Sequence, residues 1–151
     1  MDRVATCLWF STDVEEAVRF YGTVFPDLRV EDVSRNPDGS ALVVEFELRG
    51  QRYLALSGGP QYRLSPAVSI YVPCADQAEV DRLWAALTDG GTELRCGWLT
   101  DAYGLTWQVV PEELPRLLTD PDPAKAERAQ EALRPMQKID IAVIRDAVAS
   151  V

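Results

Sequence analysis

The chain has 151 residues, 47% apolar and 26% charged, with a net charge of −9 and no histidine. The missing imidazole excludes Ser-His-Asp and Cys-His nucleophiles and every His-bearing zinc site. The scattered positive charge argues against nucleic acid, which needs a basic stripe to neutralise phosphates.

Val4 to Phe10 is a β-branched and aromatic run that predicts a buried strand. Ser11-Thr12-Asp13 offers helix caps, with Glu15 and Glu16 in the first turn. Val14, Ala17, Val18, Tyr21 and Phe25 fall at helical spacing up to Pro26. A strand is expected from Leu28 to Val33, then a turn at Asn36-Pro37-Asp38-Gly39. Ala41 to Leu48 alternates apolar and acidic positions, Arg49-Gly50-Gln51 turns a hairpin, and Tyr53 to Leu56 returns. Ser57-Gly58-Gly59-Pro60 breaks the pattern.

The same order then repeats. Ala67 to Val72 reads as a strand, and Asp76 caps a helix whose Val80, Leu83, Trp84 and Leu87 share a face. Asp89-Gly90-Gly91 stops it. A strand from Glu93 to Leu99, a turn at Asp101-Ala102-Tyr103-Gly104 and a strand from Leu105 to Val110 follow. Three helices close the chain: Pro111 to Leu118, one capped by Asp122-Pro123 and running to Leu133, and Ile139 to Val148. Such a tail covers a sheet edge or packs on a second subunit.

Strand, helix and strand meander thus occur twice, about 60 residues apart. The expected class is α+β: two βαβββ modules forming a curved mixed sheet, with helices outside, a concave cup inside and a C-terminal helical tail. The whole is expected as one domain, with module one at about 1–60, module two at about 66–111 and the tail at about 111–151. Cys7, Cys74 and Cys96 follow no pairing or metal-binding pattern. Cys7 and Cys74 read as small apolar filler, and Cys96, beside Arg95, as a packing residue. No apolar run approaches a membrane span and the N-terminus lacks signal-peptide character. A cytoplasmic location without membrane contact is expected.

LWF, EEAVRFY before FPD, VEFEL, LALSGGP, CGWLTDAYG, TWQVVP and LLTDPDPAKAERAQEAL with the KIDIA tail together resemble PhnB-like proteins. These are members of the glyoxalase/bleomycin-resistance/dioxygenase (vicinal oxygen chelate) superfamily, often labelled demethylubiquinone methyltransferase-like. The resemblance spans about Val4 to Ala149. It implies a glyoxalase-like fold and a homodimer. In metal-using relatives it also implies a divalent ion held in the cup by histidines and carboxylates, acting as a Lewis acid. Carried over, those four positions fall at Thr6, at Ala55 or Leu56, at Ser69 and at Gln108. None is an imidazole or carboxylate, so no metal and no cofactor is expected. Gly58-Gly59 and Gly90-Gly91 match no phosphate or dinucleotide loop, which argues against methyl transfer.

Thr6, Ser69 and Gln108 would face the cup, bonding one another, water or a ligand, or satisfying each other in a closed core. Trp84 reads as core and Trp107, by alternation with Gln108, as sheet-to-helix packing. Trp9 stands opposite Thr6 and is expected to pack, whereas Trp98 is the candidate ligand wall. Tyr62 and Arg63 lie in the linker, either on a loop at the cup's mouth that reaches a ligand or as plain surface. The preferred reading is a metal-free, non-catalytic homodimer that binds a small organic molecule through Thr6, Ser69, Trp98, Gln108 and Tyr62. The alternatives are an enzyme with a weakly held divalent metal or an acid-base carboxylate (Glu45, Glu47 or Glu93), and an oligomerisation module with a filled cup.

Overall fold

The computed structural model describes residues 3–151. Among them the first unit carries β1 (Thr6–Phe10), α1 (Val14–Val24), β2 (Arg29–Arg35), β3 (Ala41–Leu48) and β4 (Gln51–Ser57). The second carries β5 (Ser69–Cys74), α2 (Gln77–Thr88), β6 (Thr92–Glu93), β7 (Trp98–Thr100), β8 (Thr106–Pro111), α3 (Leu114–Leu118), α4 (Pro123–Leu133) and α5 (Ile141–Ala149). The units are residues 1–65 and 66–151. Each holds one mixed four-stranded sheet, in the order β1-β4-β3-β2 and β5-β8-β7-β6. β1 runs parallel to β4 and β5 to β8, and the other pairs are antiparallel. The α+β class and the twofold βαβββ order are those expected.

Side-chain alternation decides which face of each sheet meets its helix. In the first unit Leu8, Phe10, Val44, Phe46, Leu48, Tyr53 and Ala55 are buried. The buried stripe of α1 is Val14, Ala17, Val18, Tyr21 and Val24. Each fully buried large apolar side chain stabilises by roughly 1.5–3 kcal/mol. Asp13 caps this helix, accepting from the N–H groups of Glu15 (2.9 Å) and Glu16 (3.3 Å). Asp76, Asp122 and Asp140 cap α2, α4 and α5 in the same way.

In the second unit Ile70, Val72, Cys74, Leu99, Trp107 and Val109 form the buried face. The buried stripe of α2 is Val80, Leu83, Trp84 and Leu87. Trp84 and Trp107 are therefore core, as their spacing predicts. Asp101 is buried and closes the turn before β8. It accepts from the backbone N–H of Tyr103 (2.8 Å) and Leu105 (3.1 Å) and from the Trp107 indole (2.8 Å).

Four local expectations are corrected. The strand expected from Glu93 to Leu99 is two short strands, because Cys96 and Gly97 take φ of 58° and 83°. Their amides turn away and donate to Met136 O and Gln137 O, both at 2.8 Å. The helix expected from Pro111 starts at Leu114, since Pro111 ends β8, paired with Cys74. Pro111 lies beyond the last β7 partner of β8, so its missing N–H breaks no ladder bond there. The last helix starts at Ile141 because Asp140 caps it, accepting from Ala142 and Val143 N–H. Cys7 is exposed rather than apolar filler, while Cys74 is buried.

The tail packs within the second unit. Leu114, Ala129, Ile139, Ile141 and Ile144 bury themselves with Val110 of β8. Gln77 of α2 clamps the last connection, donating to Ile139 O (2.9 Å) and accepting from Ile141 N–H (3.0 Å).

Gly97 joins sheet and tail, and it has no room for a side chain. A Cβ there would lie 2.6 Å from Ile139 Cδ1 and 2.9 Å from Val109 O, at a φ that favours glycine. Gly97→Ala is therefore expected to cost about 2–4 kcal/mol. Chemical denaturation would register that loss, and hydrogen exchange would show faster loss of protection at the amides of residues 96 and 97.

Candidate functional site

The face of the second sheet opposite α2 carries the site. Ser69, Tyr71, Trp98 and Gln108 alternate with the buried residues and point to that face. Register brings them together: Gln108 pairs with Tyr71 on one side and Trp98 on the other. Gln108 Nε2 donates to Ser69 Oγ at 2.9 Å, leaving Oε1 as an acceptor. Trp98 and Gln108 are half-buried.

A cavity of about 350 Å³ opens over this group. Its floor is Tyr71, Trp98, Gln108 and Val110, and Cys96 adds an edge. Its wall is Leu114, Pro115 and Leu118 of α3, then Thr119, and Leu133 at the end of α4. None of these described residues is an acid or a base in its ordinary neutral-pH form. Burial, and next the nearby Cys74, push the Tyr71 phenol above its usual range, so it stays protonated at neutral pH.

Three expected residues, Ser69, Trp98 and Gln108, thus lie together. The other two lie in the first unit. Thr6 does not share a face with the half-exposed Trp9. It aligns with buried Leu8 and Phe10 and pairs with buried Tyr53. Cys7 and Trp9 occupy the other face of that strand. Trp9 donates its indole N–H to Gly59 O at 2.9 Å and meets Tyr62 edge-on at 4.9 Å. Gly58 lies so close to that indole that a Cβ would come within 2.2 Å of it. Tyr62 is 66% exposed and completes a separate aromatic patch.

The first unit also has a larger recess, about 490 Å³, beside the β3–β4 hairpin, lined by Thr6, Arg3, Arg49 and Arg52. Its arginines are engaged. Arg52 bonds Arg3 O and Glu45, Arg3 bonds Glu47, and Arg49 lies 5.7 Å over the Phe25 ring. The smaller, uncharged cavity with three converging polar groups is the better site.

The candidate strand carboxylates all have partners. Glu45 pairs with Arg52, and Glu47 with Arg3 and Arg29. The Arg3 hydrogen bond, and then Arg29, hold the Glu47 carboxyl below its usual value against the effect of desolvation. Glu93 accepts from the Trp84 indole at 2.7 Å. The four superfamily ligand positions do not fit a divalent ion. Ser69 is a hydroxyl with Gln108's amide nitrogen turned onto it, and Thr6 aligns with the buried side of its strand. Ala55 and Leu56 offer no side-chain donor. Among the described residues no group of three or more His, Cys, Asp or Glu could hold a metal.

Tyr71, Val110, Leu114, Leu118 and Leu133 are lining residues that sequence reasoning missed. Tyr71 was readable from strand parity with Ser69. Leu114 and Leu118 stand four apart on one helix face, but nothing local says which surface that face meets.

A model of the 3-demethylubiquinone-9 3-methyltransferase family matches residues 2–110. Among solved structures, a PhnB protein from Bacillus cereus is 27% identical with a TM-score of 0.67, covering 73% of this chain and 99% of that one. Protein PA1353 from Pseudomonas aeruginosa is 20% identical with a TM-score of 0.62, covering 74% and 98%. A structure described as a possible glyoxalase from Bacillus cereus is 16% identical with a TM-score of 0.53, covering 71% and 96%. The last two similarities show the fold alone. No curated protein matches the chain.

Because the whole donor set is unsuited, restoring one carboxylate does not make a metal site. Gln108→Glu is expected to bind zinc or nickel no more stoichiometrically than the parent in calorimetric titration. Tight one-to-one binding would overturn this reading of the donor set.

Proposed function

The chain belongs to the 3-demethylubiquinone-9 3-methyltransferase family, PhnB-like proteins of the glyoxalase superfamily, and from that premise we propose a binding protein rather than an enzyme. It holds a small organic molecule, without metal, in the cavity on the open face of the second sheet. The observation that carries this reading is the convergence of Tyr71, Trp98 and Gln108 on about 350 Å³ of uncharged space, with Ser69 bonded to Gln108. Ligand sites of this kind combine apolar and aromatic walls with a few placed polar groups.

Trp98 supplies the aromatic wall. Gln108 donates its amide N–H to the Ser69 hydroxyl, which leaves Oε1 to accept from the ligand. Thr6 and Tyr62 stand outside this cavity: Thr6 lines the recess beside the β3–β4 hairpin and Tyr62 packs on Trp9. Methyl transfer lies outside it. Neither double-glycine segment matches the glycine-rich loops that bind cofactor phosphates. The fold is two βαβββ sheets rather than a doubly wound parallel sheet.

The proposal includes a homodimer in the cytoplasm. The family supports the dimer, as does the first sheet's face opposite α1, which no helix of its own unit covers. Among the described residues no helix is long and apolar enough to cross a membrane.

Saturable quenching or shift of tryptophan emission with a panel of uncharged aromatic compounds is the expected result. Trp98→Ala should weaken the responding compounds about tenfold or more, the equivalent of about 1.4 kcal/mol. Gln108→Ala should weaken them by a similar factor. The affinity should be flat between about pH 5 and 7.5, because the lining holds no carboxylate or imidazole. A panel without any saturable response would sink the binding reading. Sedimentation should give twice the 16.8 kDa chain mass, and a monomer at micromolar concentration would remove the dimer.

A further inference from the structure

The family match ends at residue 110, yet half of the cavity lining comes from beyond it. Leu114, Leu118, Thr119 and Leu133 belong to a tail that the matching family model does not include. That tail is fixed to the sheet by the Cys96 and Gly97 amides and by the core around Ile139. Without it, Tyr71, Trp98 and Gln108 would face solvent on this side.

We infer that the C-terminal tail is the specificity element of this cavity, and that it selects an uncharged, flat aromatic ligand carrying one O–H or N–H donor. The inference rests on the proposed use of the cavity and goes beyond it in two respects. One is the wall, which is apolar at Leu114, Leu118 and Leu133, so a charged ligand would lose hydration without a partner. The other is the floor. Gln108 spends its amide N–H on Ser69 and presents Oε1, so the atom it best receives is a donor. Trp98 offers a ring face to a flat molecule. Thr119 is exposed at the end of α3 and marks the rim, where a charge can be added without disturbing the core.

Three probes of one shape separate these terms: naphthol, its methyl ether and naphthoate, titrated by calorimetry at neutral pH. The full chain should bind naphthol best. The methyl ether, which has no donor, should bind about tenfold more weakly, the worth of one hydrogen bond. Naphthoate should bind more weakly still. Thr119→Lys should raise the affinity for naphthoate relative to naphthol several-fold. Leu118→Lys should weaken naphthol and narrow the gap to naphthoate, its folding checked by circular dichroism. Amide NMR shifts for residues 114–119 on naphthol addition should accompany those of Trp98 and Gln108. Equal affinity for the three probes, with both tail variants silent, overturns the inference while the binding reading stands. No binding of any probe, with no response in the wider aromatic panel, overturns both.

Discussion

A bare Cα at Gly97 is the constraint on which the second unit depends. At φ 83°, with Ile139 and Val109 O pressed against the space a side chain would need, the chain can turn out of the sheet there. Three consequences follow from that turn. The Cys96 and Gly97 amides reach the tail at Met136 and Gln137, Gly97 O still accepts from Val109 N–H at 2.8 Å, and Trp98 enters its strand beside Gln108. One residue therefore holds together the edge of the sheet, the attachment of the tail and the position of an aromatic wall. It belongs to the stretch CGWLTDAYG, whose other end is fixed by Asp101. The turn residues at both ends of this strand thus set where the cavity's floor can stand.

The two sheets share a topology and differ in chemistry. In the first unit, Arg3, Arg29 and Arg52 interleave with Glu45 and Glu47 in exposed and half-exposed pairs. Such pairs are worth little individually in water. They nonetheless hold both carboxylates beside cations, which gives this face a charged character. In the second unit, the corresponding face has a serine, an amide and an indole. Any stabilisation it gives a ligand comes from desolvation, stacking and one directed hydrogen bond, not from Coulomb attraction.

Much of this was legible because local and global signals agree. Asp13, Asp76 and Asp122 cap helices where the sequence places caps, β3 spans Ala41–Leu48 as its alternation predicts, and Trp84 and Trp107 are core. The failures have a common cause. The break at Cys96 depends on carbonyls about 40 residues further along the chain, and no local pattern encodes a distant acceptor. The side that Thr6 takes follows from its pairing with Tyr53, distant in sequence, and a slip of one residue reverses every side chain. The tail's share of the cavity was illegible for the same reason as the break: an amphipathic helix announces that it has a partner without naming it.

Gln108 stands where the family resemblance implies a carboxylate, and its neutrality matters to the face around it. A carboxylate at this position would need a cation or several donors to offset its desolvation, and on this face Ser69 alone could not supply them. A neutral amide tolerates the apolar wall that α3 and α4 place beside it, and Ser69 is enough to orient it. The neutral floor and the apolar tail are therefore mutually dependent. With a charged floor, closing the cavity with leucines would be unfavourable. With the wall absent, a single amide and an indole would have too little buried surface to retain a small molecule against solvent. On the proposed reading, the residues at positions 108, 114 and 118 suit an uncharged ligand rather than a divalent ion.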